Sequence, residues 1–180
     1  GTAACWGRNV HGQVGDGSVE QRLAAVPVQG VDRISGLALG LQHSCAYRSD
    51  GVVLCWGANA TMQVGIAGDD VRRPQVVNIP AGVTALDSNW DHTCSIMSGA
   101  VLCWGANPYG QLGSDSREAA RPPVLVRGLL NSTSIAVGGT HSCAVVPAGM
   151  RCWGQNNGGQ LGTGDRVDSN SPVAVAGLPG

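Results

Sequence analysis

Histidine and cysteine recur along this chain at a spacing that metal binding or disulfide formation could use. A His-x-Cys triplet begins at His43, His92 and His141, and its cysteine is followed nine or ten residues later by the cysteine of a Cys-Trp-Gly triplet. Structural zinc sites take four ligands, often from a Cys-x2-Cys pair, whereas each copy here offers only three. We therefore expect histidines that bond to a turn beside a cystine, and no metal ion.

The segment between the two cysteines of each copy is typical of a tight β-hairpin, with its turn at Asp50-Gly51 in one copy and at Ser98-Gly99 in the next. Directly opposed residues of antiparallel strands have Cα atoms about 4.5–5.5 Å apart, which a disulfide can bridge. Cys5 lacks such a partner and remains unpaired, which accounts for the odd total of seven cysteines. The candidate disulfides are Cys45 with Cys55, Cys94 with Cys103 and Cys143 with Cys152.

A sequence repeat of nearly constant length organises the chain. The Cys-Trp-Gly triplet recurs at intervals of 50, 48 and 49 residues, and each copy is followed by an asparagine and then by Gln-(Val/Leu)-Gly. A fixed period of this length indicates a repeat architecture. The repeats cover approximately residues 1–32 (a partial copy), 33–82, 83–131 and 132–180.

Each full repeat has the pattern of four short strands and no helix. Loops rich in Gly, Asn, Asp and Ser follow the Cys-Trp-Gly triplet, then a valine-rich run begins near a proline, and a further short strand leads to His-x-Cys. Four strands in one period are typical of one blade of a β-propeller. We predict an all-β fold in which residues 1–180 form a single partial β-propeller of four-stranded blades, about three and a half in number.

The repeat resembles that of the regulator of chromosome condensation family, whose units read Gly-x-x-His-(Ser/Thr), a hairpin, and Trp-Gly-x-Asn-x-x-Gly-Gln-Leu-Gly; propellers similar to β-lactamase inhibitor protein II are related. All 180 residues fit this pattern, although Met62 and Asn89 replace two of its glycines. The resemblance implies a seven-bladed propeller, of which this chain would be about half. The regular spacing leaves no room for the inserted wedge that exchange on the Ran GTPase would need, so that activity is not expected.

The cysteines distinguish this chain within the family that it resembles. Intracellular members usually have apolar or small residues at these hairpin positions. The cysteine-bearing hairpins are similar to those of secreted bacterial versions and, more loosely, to the extracellular propeller of crinkly-type plant receptor kinases. The resemblance therefore implies a secreted protein or a receptor ectodomain.

A partial propeller leaves two apolar blade faces without a neighbour, because only ring closure removes the free edges. We therefore expect the chain to be a fragment of a longer propeller. A homodimer is the alternative hypothesis, since two sets of three and a half blades would make seven.

Composition argues against several classes of function. The net charge is −1 and all 11 basic residues are arginines, scattered singly except for Arg72-Arg73, so no nucleic-acid-binding face is expected. The apolar runs are far too short for a membrane span. The sequence has neither a recurrent carboxylate pair nor a Gly-x-Ser-x-Gly motif, so we expect no catalysis and no cofactor.

Residues that depart from the repeat pattern indicate a binding site better than residues that keep it, because loops vary while framework residues build the scaffold. Trp90 stands where other repeats have leucine or glycine, and Tyr109 lies in another loop. Exposed aromatic side chains commonly anchor protein interfaces, so Trp90, Asp91 and Tyr109 are the binding candidates. The alternative for Trp90 is that its indole fills a gap left by Asn89.

Two Asn-x-(Ser/Thr) sequons occur, at Asn59 and Asn131. Asn59 occupies the framework asparagine position of the repeat, so a structural role is favoured there. Asn131 lies in a polar loop outside the repeat pattern and is the glycosylation candidate if a eukaryotic secretory pathway makes the protein.

These observations favour a non-enzymatic scaffold, extracellular or at the cell surface, that binds a protein partner of unknown identity. The second hypothesis is an intracellular regulator of a small GTPase or of chromatin, which predicts free thiols. The third is the ectodomain of a crinkly-type receptor kinase, which would differ from the first in having a membrane span and a kinase domain downstream.

Overall fold

The computed structural model describes residues 1–118 and 121–178, and this part of the chain contains fourteen strands and no helix. The strands are β1 (Ala4–Gly7), β2 (Arg22–Pro27), β3 (Ile34–Leu39), β4 (His43–Arg48), β5 (Val53–Gly57), β6 (Val71–Val76), β7 (Val83–Asn89), β8 (His92–Met97), β9 (Ala100–Gly105), β10 (Arg121–Leu125), β11 (Ser134–Val137), β12 (His141–Val146), β13 (Gly149–Gly154) and β14 (Ser169–Ala174).

The strands form three four-stranded antiparallel sheets and one two-stranded sheet. Each sheet follows chain order, with β3 to β6, β7 to β10 and β11 to β14 in the complete sheets and β1 beside β2 in the short one. This arrangement confirms the predicted all-β fold and the partial propeller of four-stranded blades. The short sheet corresponds to the third and fourth strands of a complete one, because β1 carries the Cys-Trp-Gly triplet that β5 carries.

The first strand of each complete sheet lies nearest the propeller axis. Strand β7 contacts both β3 and β11, so these three first strands converge. The fourth strands lie at the outer edge, where β2, β6, β10 and β14 all contain proline. Proline suits an edge position because it cannot donate a backbone hydrogen bond to a further strand.

The second and third strands of each sheet are joined by short hairpins. In one of them Met97 pairs with Ala100, so Ser98 and Gly99 alone form the turn. Their φ angles are 50° and 78°, as expected in a two-residue turn whose twist matches that of the strands. Such a turn fixes the register of the whole hairpin.

The glycine of each Cys-Trp-Gly triplet ends the third strand at a register shift. Gly57 has φ 106°, a backbone conformation that residues other than glycine rarely adopt. A Cβ atom there would lie 2.7 Å from the Cα of His43 on the neighbouring strand. The triplet therefore requires glycine for both backbone conformation and space.

The strands at the two ends of the described chain do not favour the homodimer hypothesis. One end of the described chain is a pair of third and fourth strands, and the other end is a complete sheet. Two copies joined end to end would place six complete sheets and two half sheets around a ring, rather than seven complete sheets. The homodimer stays a prediction, without support from the topology.

Candidate functional site

The same geometry joins each complete sheet to the sheet before it. The indole Nε1–H of the tryptophan in the triplet donates to the backbone carbonyl of a glutamine in the preceding repeat, and the three tryptophans that do so are 0% exposed. The bonds are Trp56 to Gln13 at 2.9 Å, Trp104 to Gln63 at 3.0 Å and Trp153 to Gln111 at 2.8 Å. Trp6 has no preceding repeat within the described residues, and its side chain is 65% exposed.

The histidines of the His-x-Cys triplets belong to the same interfaces. The Nε2 of His43 lies 2.8 Å from Thr93 Oγ1, and the Nε2 of His92 lies 3.0 Å from Ser142 Oγ. Ser142 Oγ also donates to the carbonyl of Gln111 at 3.0 Å. The Ser142 hydroxyl therefore binds two groups of the preceding sheet, the imidazole of His92 and the carbonyl of Gln111.

Burial keeps these imidazoles neutral. Desolvation lowers the pKa of His43 to about 4. Desolvation, reinforced by the charges of His43 and His141, lowers the pKa of His92 to about 3. Partial burial also lowers the pKa of His141. His43 and His92, which are buried and neutral and bond to the following sheet, have a structural role.

The framework asparagines hold the loops after the third strands. Asn107 is fully buried; its Nδ2 donates to the carbonyls of Ser116 and Glu118, both at 3.0 Å, and its Oδ1 accepts from the amide of Leu112. Asn59 is buried in the same way and donates to the carbonyls of Ile66 and Gly68. A buried Asn59 cannot serve as a glycan acceptor in the folded chain.

The paired cysteines face one another across each hairpin. Their sulfur atoms lie at disulfide-bonding distance, with Cα separations of 4.1, 4.1 and 4.0 Å, slightly below the spacing expected for opposed residues. No group of three or more metal-ligating side chains lies in the described part of the chain. The three pairs are Cys45 with Cys55, Cys94 with Cys103 and Cys143 with Cys152.

Cys5 is the free cysteine of the seven. Its side chain is half-buried against the core of the first complete sheet. Burial raises the pKa of its thiol, which keeps the thiol protonated at neutral pH.

The three binding candidates lie on one face of the propeller. The turns between first and second strands and the loops between third and fourth strands meet at the same end of each antiparallel sheet. A hydrogen bond of 2.8 Å from the amide of Ala106 to the carbonyl of Asp91 ties the two kinds of connection together. We call this surface the loop face; it contains the turns at Leu41, Trp90 and Gly139 and the loop at Tyr109.

Trp90 presents an exposed indole on the loop face. Its side chain is 53% exposed, and the ring lies over Gly139, where a Cβ atom would be 3.1 Å away. Its backbone has φ 39°, and its amide donates to Asn89 Oδ1 at 2.8 Å. Asn89 therefore holds the turn that carries Trp90, rather than leaving a gap that the indole fills.

Asp91 and Tyr109 are less available than Trp90. The Asp91 carboxylate accepts from Gln63 Nε2 at 3.2 Å, and the side chain is only partly exposed. The amide of Tyr109 donates to Gln111 Oε1 at 3.0 Å, and its side chain is also partly exposed. Both residues help to hold the loops in which they lie.

The exposure of leucine side chains on the loop face and at the adjoining end of β3 was not anticipated from the sequence. Leu39 and Leu41 are both exposed. Leu41 is adjacent to Trp90, because its amide donates to the Trp90 carbonyl at 2.9 Å. Leucine is common in propeller cores, so its residue type alone gave no signal of exposure.

Asn131 lies at an exposed turn. Its side chain is exposed and its φ is 56°, a left-handed conformation that asparagine tolerates better than most residues. Thr133, the hydroxyl residue of the sequon, is also exposed. Both sequon side chains thus lie at the surface, and glycosylation of Asn131 stays a prediction.

The repeated sheets and the interface between them define the chain as a β-propeller repeat protein. The family model described as "Regulator of chromosome condensation (RCC1) repeat" matches residues 98–145 and 152–180. A second model of the same description matches residues 34–61. Together the matches cover more than half of the chain, which belongs to the regulator of chromosome condensation repeat family.

Relatives and solved structures agree with this assignment. The ultraviolet-B receptor UVR8 of Arabidopsis thaliana is 35% identical over 102 residues, which cover 53% of this chain and 23% of that protein. The crystal structure of Prp20p from Saccharomyces cerevisiae matches with a TM-score of 0.86 and 22% identity, over 97% of this chain and 46% of that one. Human WBSCR16 matches with a TM-score of 0.75 and 24% identity, over 92% of this chain and 45% of that one. The chain thus spans less than half the length of each of these proteins.

Proposed function

We propose that this chain is part of a non-enzymatic propeller that binds a protein partner through the loop face. The exposed indole of Trp90 carries this proposal, because tryptophan is enriched among the side chains that contribute most to protein binding. The structure of Prp20p was described together with its binding properties to Gsp1p and histones, so protein binding has a precedent in this fold.

The support for Trp90 as an anchor lies in the way its turn is fixed. The carbonyl of Trp90 accepts from the amide of Leu41 in the preceding sheet. The Nδ2 of Asn89 donates to the carbonyl of Val137 in the following sheet at 3.3 Å. A turn bonded on both sides loses little conformational entropy when a partner binds, which favours affinity.

We expect the substitution Trp90→Ala to weaken partner binding by about 30-fold or more, the effect of losing a hot-spot tryptophan. The partner is first identified by crosslinking from a photoreactive residue at position 109, and its affinity is then measured by calorimetry. Leu130→Ala is the matched control, since Leu130 is exposed and lies in a connection at the opposite end of the sheets. Equal losses for the two variants would reject the loop face as the binding surface.

An extracellular or cell-surface location is the second part of the proposal. Three cysteine pairs at disulfide distance support it, because such bonds persist in oxidising compartments and are rare in the cytosol. Asn131 would then carry a glycan if the protein passes through a eukaryotic secretory pathway. The described residues contain no helix long and apolar enough to cross a membrane.

A count of free thiols tests this location. After refolding in a glutathione buffer set to the potential of the secretory pathway, we expect intact mass to show one alkylated cysteine per chain, assigned to Cys5. The variant Cys5→Ser should show none. Seven alkylated cysteines in the original chain would overturn the extracellular proposal.

An intracellular regulator of a small GTPase or of chromatin is the second candidate function. The similarity of the fold to Prp20p favours it. This candidate predicts that the chain binds Gsp1p or core histones, which can be measured with purified proteins at physiological salt. The receptor-kinase ectodomain stays a prediction.

A further inference from the structure

Three departures from the repeat occur together at the end of strand β7. Asp87 and Asn89 stand where the aligned positions of the other two complete sheets have alanine and glycine, and Trp90 stands where they have leucine or glycine. All three side chains contact the sheet of β11 to β14, which follows in the chain. They therefore build one surface from two sheets.

Asp87 and Asn89 fix the turn of the following sheet. Asp87 Oδ2 accepts from the amide of Val137 at 2.7 Å, and Asn89 Nδ2 donates to the carbonyl of the same residue at 3.3 Å. Val137 is the last residue of β11, directly before the turn that contains Gly139. Because side chains of β7 hold both backbone groups of Val137, Gly139 has a fixed place beside Trp90.

The indole of Trp90 rests on Gly139 with one face and leaves the other face open. A Cβ atom on Gly139 would lie 3.1 Å from Cδ2 and Cε2 of the ring and 3.5 Å from Cζ2, and contact with three ring atoms at once is contact with the face of the six-membered ring. The side chain is nevertheless 53% exposed. Described sheets flank it on both sides, since the Trp90 carbonyl also accepts from the amide of Leu41. We call the open face of this indole the indole platform.

The groups around the indole platform are polar and almost all uncharged. The turns between first and second strands, at residues 40–42, 90–91 and 138–140, contain no basic residue, and Asp91 is their one charged residue. Thr140 Oγ1 donates to Gln155 Oε1 at 2.6 Å, which places the amide of Gln155 beside the third turn. Within the described part of the chain, Gln155 Nε2 and Asp91 Oδ2 have no hydrogen-bond partner. The rim thus offers one donor and one acceptor to a ligand.

A pyranose sugar complements an aromatic face with an uncharged polar rim. When its hydroxyls are equatorial, each face of the sugar ring carries only axial C–H groups, whose slightly positive hydrogens are attracted to the negative face of an indole. The hydroxyls then point outward, where a carboxylate accepts from them and an amide donates to them. A basic side chain is also attracted to an indole, but the carboxylate that would pair with it, Asp91, already accepts from Gln63 Nε2 and is only partly exposed. The surroundings of Trp90 therefore favour the sugar.

We propose that the indole platform binds a hexose unit with equatorial hydroxyls, carried by a glycan of the protein partner. Trp90 stacks on the sugar ring, Asp91 Oδ2 accepts from one hydroxyl, and Gln155 Nε2 donates to another. This inference rests on the proposed function, in which the loop face binds a protein, and it identifies the group that the partner presents to Trp90. A glycosylated partner agrees with the proposed extracellular location, because glycans are a modification of secreted proteins.

Chitotetraose, a linear tetramer of β-linked N-acetylglucosamine, serves as the probe because it is uncharged and its ring substituents are equatorial. In a proton–nitrogen correlation spectrum, we expect the sugar to shift the indole Nε1–H signal of Trp90 and to leave that of Trp6 unchanged. Trp6 is the internal control, since its side chain is 65% exposed but lies away from the loop-face turns. The dependence of the shift on sugar concentration gives the affinity.

Substitutions at position 90 separate stacking from simple apolar contact. Trp90→Ala should weaken chitotetraose binding at least about tenfold. Trp90→Leu, which introduces the residue of the aligned position 41, should weaken it as much because leucine has no aromatic face. Trp90→Tyr should retain most of the affinity, and Trp6→Ala should leave it unchanged.

Gly139→Ala tests the support beneath the indole. Its Cβ atom would lie too close to the ring, so the indole must shift while remaining present and exposed. We expect chitotetraose binding to fall a few-fold in this variant, whereas the urea midpoint of unfolding should change little because the position lies in a surface turn. Unchanged sugar affinity in Gly139→Ala would contradict the assigned stacking geometry.

Three further outcomes would overturn the proposal. Chitotetraose could shift the Trp6 and Trp90 signals equally, Trp90→Leu could bind it as well as the original chain, or a tetralysine peptide could shift the Trp90 signal at lower concentration than the sugar. The last outcome would assign the indole platform to a basic side chain.

Enzymatic removal of glycans from the partner found by crosslinking tests the source of the sugar. We expect deglycosylation to weaken its binding about as much as Trp90→Ala does. If deglycosylation has no effect but Trp90→Ala still weakens binding, the glycan inference fails and the proposed protein-binding function stands. If neither change has an effect, the proposed function fails as well.

Discussion

Replacing Trp104 with alanine is expected to lower the free energy of unfolding by about 3–5 kcal/mol, the usual cost of truncating a fully buried tryptophan. The indole is 0% exposed and packs in the core between two sheets. It also donates to the carbonyl of Gln63, which the substitution leaves without that partner. Urea unfolding followed by far-ultraviolet circular dichroism measures the change without depending on tryptophan fluorescence.

Trp6→Ala is the matched control for this prediction. Trp6 lies in the same Cys-Trp-Gly triplet of the repeat but is 65% exposed. We expect a change of less than about 1 kcal/mol, as for most exposed positions. Similar losses for the two variants would show that the triplet contributes through the hairpin alone and that the contact between sheets adds little.

Acidification is expected to destabilise the fold well before the carboxylates titrate. The unfolded chain protonates His43 and His92 below their ordinary pKa of 6.5, whereas the folded chain does not protonate them until about pH 4 and about pH 3. The unfolded state therefore binds more protons in this window, and stability falls as pH falls. Each imidazole contributes a slope of up to about 1.4 kcal/mol per pH unit, and this loss is absent above pH 6.5.

Urea titrations at several pH values between 4 and 7 test the acid prediction. His43→Gln should reduce the slope by about one proton, at some cost in stability at neutral pH because the variant disturbs a buried bond to Thr93. His11→Gln is the control, since His11 lies at the surface beside Asp70. A slope that is the same in wild type and His43→Gln would contradict the assignment of the loss to this histidine.

The hairpins and their cysteine pairs could be predicted because the determinants are local. The two cysteines of each hairpin are only nine or ten positions apart, and glycine at position 51 or 99 marks the turn in two of the hairpins. Once the turn is known, the alternation of an antiparallel ladder fixes which residues are opposed. The four-stranded blade followed in the same way from the spacing of glycine-rich loops and valine-rich runs.

The contacts between sheets could not be predicted because they join residues about one repeat apart. His43 Nε2 and Thr93 Oγ1 form a hydrogen bond across 50 positions of sequence, and no spacing rule relates the two residues. The role of Asp91 illustrates the same limit. Its carboxylate partner is Gln63, 28 positions away, so sequence analysis could identify Asp91 as a polar loop residue but could not show that a loop amide already engages it.

The exposure of individual side chains could not be predicted from the sequence either. Trp6 and Trp104 occupy identical positions in their repeats, yet Trp6 is exposed and Trp104 is fully buried. The difference depends on whether a neighbouring sheet is present, which is a property of the assembly rather than of the residue.

The bond from tryptophan to the glutamine carbonyl gives the propeller a polarity. Each sheet donates to the sheet before it and accepts from the sheet after it, so a sheet cannot be reversed without breaking both bonds. A head-to-tail coupling of this kind places no limit on the number of units, and the rotation between successive sheets decides whether a series closes on itself or continues as a spiral. The rotation between successive sheets thus sets the number of blades in such a protein. The hydrogen bond from tryptophan to the glutamine carbonyl is the same whatever that number is.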